Sequence, residues 1–186
     1  LNPQYDTVFI DANPSFSIYT QIALAATDYL IIPTMADDSS KRAIINVLAL
    51  VYGINMPNER YRNVAFSSKM IEGHLKVPKI KLIIKNRLTQ YMGAATAFGA
   101  VLKQIDELVN SELQEHSEIF SFSDASNAII NVTDFGTTGV VSFVEAVPFY
   151  SMATGRHLIG IKKVQINASY KQKCYDDIQK IVDNIE

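Results

Sequence analysis

YDTVFIDANPSFS, residues 5–17, is the stretch on which the fold assignment turns. A short β-prone run, Val8-Phe9-Ile10, leads to the carboxylate of Asp11, and Asn13-Pro14-Ser15 follows at once. Such a run is predicted to be a fully buried strand. Pro14 breaks it, and Ser15 or Ser17 is placed to cap a helix running to about Ala26. DYLIIP, residues 28–33, is a second buried strand, stopped by Pro33. DDSSKRAIINVLALVYG follows, with Asp and Ser suited to a helix start and Gly53 to a helix stop. Strand, helix, strand, helix with short links is the pattern of a parallel α/β sheet with helices on both faces.

Residues 54–78 interrupt that rhythm with weak periodicity and two prolines, and are expected to form an insertion, partly helical. KIKLIIKN, 79–86, is a third strand. From residue 93 a helix places Phe98, Val101, Leu102, Ile105, Leu108, Val109 and Leu113 on one stripe at 3.6 spacing. Residues 118–139, rich in Ser, Asn, Thr and Gly, are ambiguous, and VVSFVEAVPF, 140–149, is read as a fourth strand ending at Pro148. YSMATGRHLIGI is expected to be a short helical turn and a loop. A last helix, about 169–185, sets Cys174, Ile178, Ile181, Val182 and Ile185 on one face.

A chain of 186 residues suits one α/β domain, 1–186, long enough to bury a sizeable core. Its net charge of −2 names no partner, so any nucleic-acid role needs a local basic patch. The single cysteine excludes an internal disulfide and fits a reducing compartment. No apolar run reaches the length of a membrane span, and a cytoplasmic protein is expected. The chain opens on Leu1 rather than Met, which suggests an excised fragment or a processed end.

In an open parallel sheet, ligands bind beyond the carboxyl ends of the strands. Asp11, Pro33-Thr34, Asn86-Arg87 and Pro148-Phe149 all follow apolar runs and are expected there. A carboxylate at such an edge needs a partner. Mg²⁺ with its waters is one; a cap on the next helix or a lysine pair are the others. No G-x-x-x-x-G-K-[S/T] phosphate loop occurs: Gly155 and Gly160 have the glycine spacing, but Ile161 stands where Lys is required. GTTG, 136–139, is short enough to be a turn rather than an anion nest, and TDFG, 133–136, has no other kinase element beside it. His74, His116 and His157 lack metal-ligand spacing. Residues 60–87 hold eight of the seventeen basic residues against Glu72 alone, either a solvated face or a surface for nucleic-acid phosphates.

Residues 5–44 resemble the central segment of the ParA/MinD family of P-loop ATPases. Tyr5, Asp6, Asp11, Pro14, Ser15, Ala26, Asp28, Pro33 and Ser40 fall on that family's pattern in order and spacing. KLIIKNR resembles the family strand whose terminal Asn meets the adenine base, and VPFYSMATGRHLIG resembles its late loop. The resemblance implies a P-loop NTPase-like fold whose first strand and phosphate loop lie outside these residues. It implies ATP or ADP with Mg²⁺ as cofactors of the parent protein. Asp11 would be the catalytic carboxylate holding a magnesium-bound water, Asn86 and Arg87 would meet the adenine edge, and Pro148 and Phe149 would form the other wall. A homodimer, non-specific DNA through residues 60–87, a ParB-like partner, nucleoid association and a role in plasmid or chromosome partition follow on the same terms. The alternatives are a non-catalytic module on the same fold, or a MinD-like membrane-site ATPase. The acidic end of YKQKCYDDIQKIVDNIE fits the latter poorly. Departures from the pattern are Asn13 for Pro, Ala43 for Gly and Arg156-His157 for Lys-Pro. Without a phosphate loop this polypeptide is expected to hydrolyse no ATP alone.

Overall fold

The computed structural model of the protein describes residues 5–12, 16–56, 58–89 and 97–185. Asn13, Pro14 and Ser15, the turn after Asp11, lie outside them, as do residues 93–96 of the expected helix. The chain divides into two compact units, residues 1–30 with 42–79, and residues 31–41 with 80–186.

The first unit is mainly helical. It contains α1, Ile18–Ala25, most of α2, Asp38–Tyr52, and α3, Phe66–Glu72. Leu24, Val51, Phe66 and Met70 form its buried cluster. Phe16 meets Phe66 edge-on at 6.4 Å between centroids. Gly53 ends α2 as anticipated, at φ +73°, a left-handed conformation that glycine adopts without strain. The amides of Gly53 and Ile54 return to the carbonyls of Ala49 and Leu48 at 2.9 and 3.0 Å. The expected insertion is ordered as a partly helical excursion. Asn58 caps a 3-10 turn over Glu59–Val64, and α3 follows. Tyr52, whose buried phenol has its pKa raised by desolvation, donates to the Pro78 carbonyl at 2.9 Å and fastens the end of the excursion.

One expectation fails here. Residues 7–12 form no strand, and Val8, Phe9 and Ile10 are exposed. An apolar run becomes a buried strand only where a neighbour supplies both the hydrogen-bond ladder and a covering face. No described strand pairs with this one.

The second unit carries a sheet of order β1-β2-β3, formed by Tyr29–Thr34, Lys79–Leu88 and Ile129–Thr133; β1 and β2 each begin in the first unit. The fold is α/β, a three-stranded parallel sheet flanked by helices, as expected of a P-loop NTPase-like domain. The β2–β3 register sets Ile83 against Ile129 and Lys85 against Asn131. Ile80, Leu82 and Ile83 are almost wholly buried, although Lys81 interrupts the apolar run between the first two. The flanking helices are α4, Ala97–Glu115, the single turn α5, Ala125–Ala128, and α7, Ala168–Asp183. Ile181 and Ile185 pack on the cluster of Leu82, Ala128, Ile130 and Val132. The buried ammonium of Lys85 pairs with Asp106 of α4, which satisfies a charge that could not otherwise sit there.

The second correction concerns residues 140–149. They are not a strand: α6 spans Gly136–Glu145, and the strand of this region is β3, within the stretch read as ambiguous. The Val and Phe content suggested β structure, but burial follows a helical step, with Thr138 and Val141 inside and Val140, Phe143 and Val144 outside. Ala146 at φ 52° ends the helix, the Val147 amide returns to the Ser142 carbonyl at 3.0 Å, and Pro148 bars continuation. Residues 155–161, part of the stretch 150–161 expected as a helical turn and a loop, join residues 162–166 in an antiparallel hairpin of β4, Gly155–Ile159, and β5, Lys162–Ile166.

Candidate functional site

A cavity of about 570 Å³ opens at the carboxyl ends of β2 and β3. Leu88 ends β2 and Thr133 ends β3 at its edge, Thr89 and Asp134 follow them, and Gly136 starts α6 there. Tyr170, Lys173, Asp177 and Lys180 line it from α7. Their spacing of three, four and three residues puts all four on one helical face.

The strand end is shaped by a bulge. The β2–β3 register shifts between Lys85 and Leu88, and Arg87 sits at φ 58°. Left-handed backbone costs a non-glycine residue about 1 kcal/mol or more, and bulges re-aim the side chains around them. The Asn86 side-chain oxygen accepts from the Arg87 amide at 2.8 Å and helps hold that conformation. Beyond the bulge the ladder resumes, with the Asp134 amide donating to the Leu88 carbonyl at 3.0 Å.

Asp177 is the cavity's anchored carboxylate. It is almost fully buried and accepts from the Thr133 amide and from the Lys180 ammonium, each at 2.9 Å. Burial pushes its pKa up, but the Thr133 amide and Lys180 outweigh that, and the group is held below the ordinary carboxylate range. Asp134 accepts from the Gly136 amide at 3.1 Å, which starts α6, and lies 4.0 Å from the Arg87 guanidinium. The Tyr170 hydroxyl donates to the Asp134 carbonyl, and its pKa is raised first by burial. Lys173 carries no ion pair among the described residues. Behind this face Cys174 is fully enclosed, and burial pushes its thiol up to about 11, so it is packing rather than chemistry.

The expected site residues are distributed as follows. Asp11 is exposed and outside regular structure, in the first unit. Asn86 and Arg87 form the β2 bulge, and Arg87 reaches the cavity's rim through Asp134. Pro148 and Phe149 follow α6 instead of ending a strand. The Pro148 carbonyl accepts the Ser151 and Met152 amides, and Phe149 meets Phe135 edge-on at 4.8 Å. Pro148 and Phe149 do not line the cavity; Asp134, Tyr170, Lys173, Asp177 and Lys180 do, and of these only Asp134, within TDFG, falls on a motif weighed from the sequence.

No group of three or more potential metal ligands occurs among the described residues. An exposed single carboxylate such as Asp11 fits a Mg²⁺ held mostly by water and phosphate oxygens, not one caged by protein. The cavity itself offers two ammonium groups, two carboxylates and a phenol, a lining suited to holding a polar ligand with an anionic substituent.

Residues 1–63 match the model of a family described as "AAA domain". The match covers about a third of the chain and is a similarity of that segment. No curated protein and no solved structure matches the chain. No helix among the described residues is long and apolar enough to cross a membrane.

Proposed function

We propose that this domain is part of an ATPase of the ParA type that acts in plasmid or chromosome partition. The observation that carries this reading is the coincidence of the family match over residues 1–63 with the ordered Tyr5, Asp6, Asp11, Pro14, Ser15 pattern inside it. On this reading Asp11 holds a magnesium-bound water beside the terminal phosphate, and Asn86 with Arg87 meets the adenine edge. The β2 bulge supports the second assignment, since it sets both residues at the carboxyl rim of a parallel strand beside a polar cavity. Pro148 and Phe149 form the other wall of the base site on this reading, with Phe149 packed edge-on against Phe135, the neighbour of Asp134.

Turnover requires a phosphate loop, which these 186 residues do not contain, and the polypeptide alone is expected to be inactive. The partner set proposed with this function is a second copy, DNA phosphates facing the basic 60–87 region, and a ParB-like stimulator. The test is genetic. Replacing Asp11 by Ala in the gene carried by its host should raise the frequency of plasmid-free or anucleate daughters. Segregation indistinguishable from wild type, with the variant protein present at normal abundance, contradicts a partition role.

A further inference from the structure

The β4–β5 hairpin has an unusual tip. Ile159 pairs with Lys162, leaving a two-residue turn of Gly160 and Ile161. Gly160 at φ 61° satisfies the demand of such a turn for glycine in first place. The second place normally takes a small polar residue. Here it holds Ile161, which is 97% exposed, more than any other large apolar side chain described. It adds nothing to the turn or to the core.

Its surroundings are one-sided in charge. Residues 146–175 contain no Asp or Glu, yet carry Arg156, Lys162, Lys163, Lys171 and Lys173, in a chain of net charge −2. Lys171 is engaged with the Met152 carbonyl at 2.6 Å, and Lys173 lines the cavity. Arg156, Lys162 and Lys163 remain on the hairpin, exposed and without an ion-pair partner among the described residues. The register pairs Leu158 with Lys163 and Arg156 with Gln165. Alternation along the strands therefore places exposed Leu158, Arg156 and Lys163 together on the hairpin's outer face.

An apolar tip flanked by cations, on a hairpin that has no carboxylate of its own and meets only Glu145 through His157, matches an anionic lipid surface. The aliphatic groups enter the acyl boundary while the ammonium and guanidinium groups stay at the headgroups. A nucleic acid would use the cations but leave Ile161 in water. We propose that the β4–β5 hairpin docks this protein peripherally on anionic lipid bilayers, with Ile161 and Leu158 inserted and Arg156, Lys162 and Lys163 facing the headgroups. Docking of this kind needs neither the nucleotide nor the partition assignment.

The experiment is co-sedimentation of the purified protein with phosphatidylglycerol–phosphatidylcholine vesicles and, in parallel, with pure phosphatidylcholine vesicles. Binding is expected to the anionic vesicles only and to fall as salt rises. Ile161→Ser should weaken it about tenfold or more, from the lost apolar burial. Lys162→Gln with Lys163→Gln should weaken it by about fivefold per cation. Both variants change only exposed side chains, and unchanged thermal melting confirms that the hairpin is intact. Three results overturn the proposal: no binding to anionic vesicles, equal binding to neutral ones, or binding untouched by either variant. A duplex-DNA arm in which the double lysine variant loses binding while vesicles are ignored overturns it in favour of a nucleic-acid surface.

Discussion

Asp177 shows how one side chain ties the rim together. It is buried, yet ionised, because a backbone amide and an ammonium converge on it. A carboxylate whose folded pKa is depressed stabilises the protein above its unfolded pKa of about 4, and that contribution is lost as pH falls through the folded value. Asp177→Asn should therefore cost about 2 kcal/mol near neutral pH, the worth of a hydrogen bond to a charged group. It should cost progressively less as the solution is acidified below pH 4. Urea unfolding of both proteins across that range checks it; a penalty that does not shrink on acidification contradicts the charge assignment. Arg87 makes the complementary point about backbone. Its left-handed φ is not visible from residue type, since Arg is not a residue that favours that region.

At the level of elements, the hairpin is joined to α6 by a titratable contact. His157 lies 2.8 Å from the Glu145 carboxylate and 2.9 Å from the Ala153 carbonyl. Glu145, then the Ala153 carbonyl, raises the imidazole pKa above its usual value of about 6.5. A raised histidine pKa gives stability that is complete below the unfolded value and is lost as pH rises through the folded one. After correction for intrinsic exchange, amides of β4 and β5 should open more readily above the folded His157 pKa than at pH 6. His157→Gln should remove that dependence. Protection that is flat with pH in the unmodified protein rules the contact out as a hairpin fastener.

The elements also show what sequence can convey. α2 was legible from both ends, because Asp and Ser at its start and Gly53 at its stop act locally. The three strands of the sheet divide instructively. β1 and β2 announce themselves as apolar runs between breakers, while β3 is short and preceded by polar residues, so it vanished into an ambiguous stretch. α6 was misread because Val140, Val141, Val144 and Phe143 favour strands as isolated residues. What fixes the helix is the Asp134 cap and the packing of Val141 against Met152 and Ile166, which are tertiary facts. The cavity lining was missed for a different reason. Tyr170, Lys173, Asp177 and Lys180 share a helical face by their spacing, but polar residues on one face of an amphipathic helix carry no signature that separates a cavity lining from a solvated surface.

Across the whole molecule, the similarity to the AAA domain family is confined to residues 1–63, and the expected site residues are divided between the two units. Asp11 belongs to the first, and the bulged strand with its cavity to the second. Along the sequence, residues 60–87 and 146–175 are locally basic within a chain of near-neutral net charge, though Lys69, Lys85 and Arg87 of the first stretch lie within 4.0 Å of Glu72, Asp106 and Asp134.

The central claim is that the rim beside Asn86 recognises an adenine nucleotide, and equilibrium titration of ADP and GDP against the purified protein in the presence of Mg²⁺ tests it directly. ADP is expected to bind several-fold more tightly than GDP, with that preference abolished by Asn86→Ala and no hydrolysis of ATP by either protein. Absence of ADP binding, or a preference for adenine that survives Asn86→Ala, would contradict it.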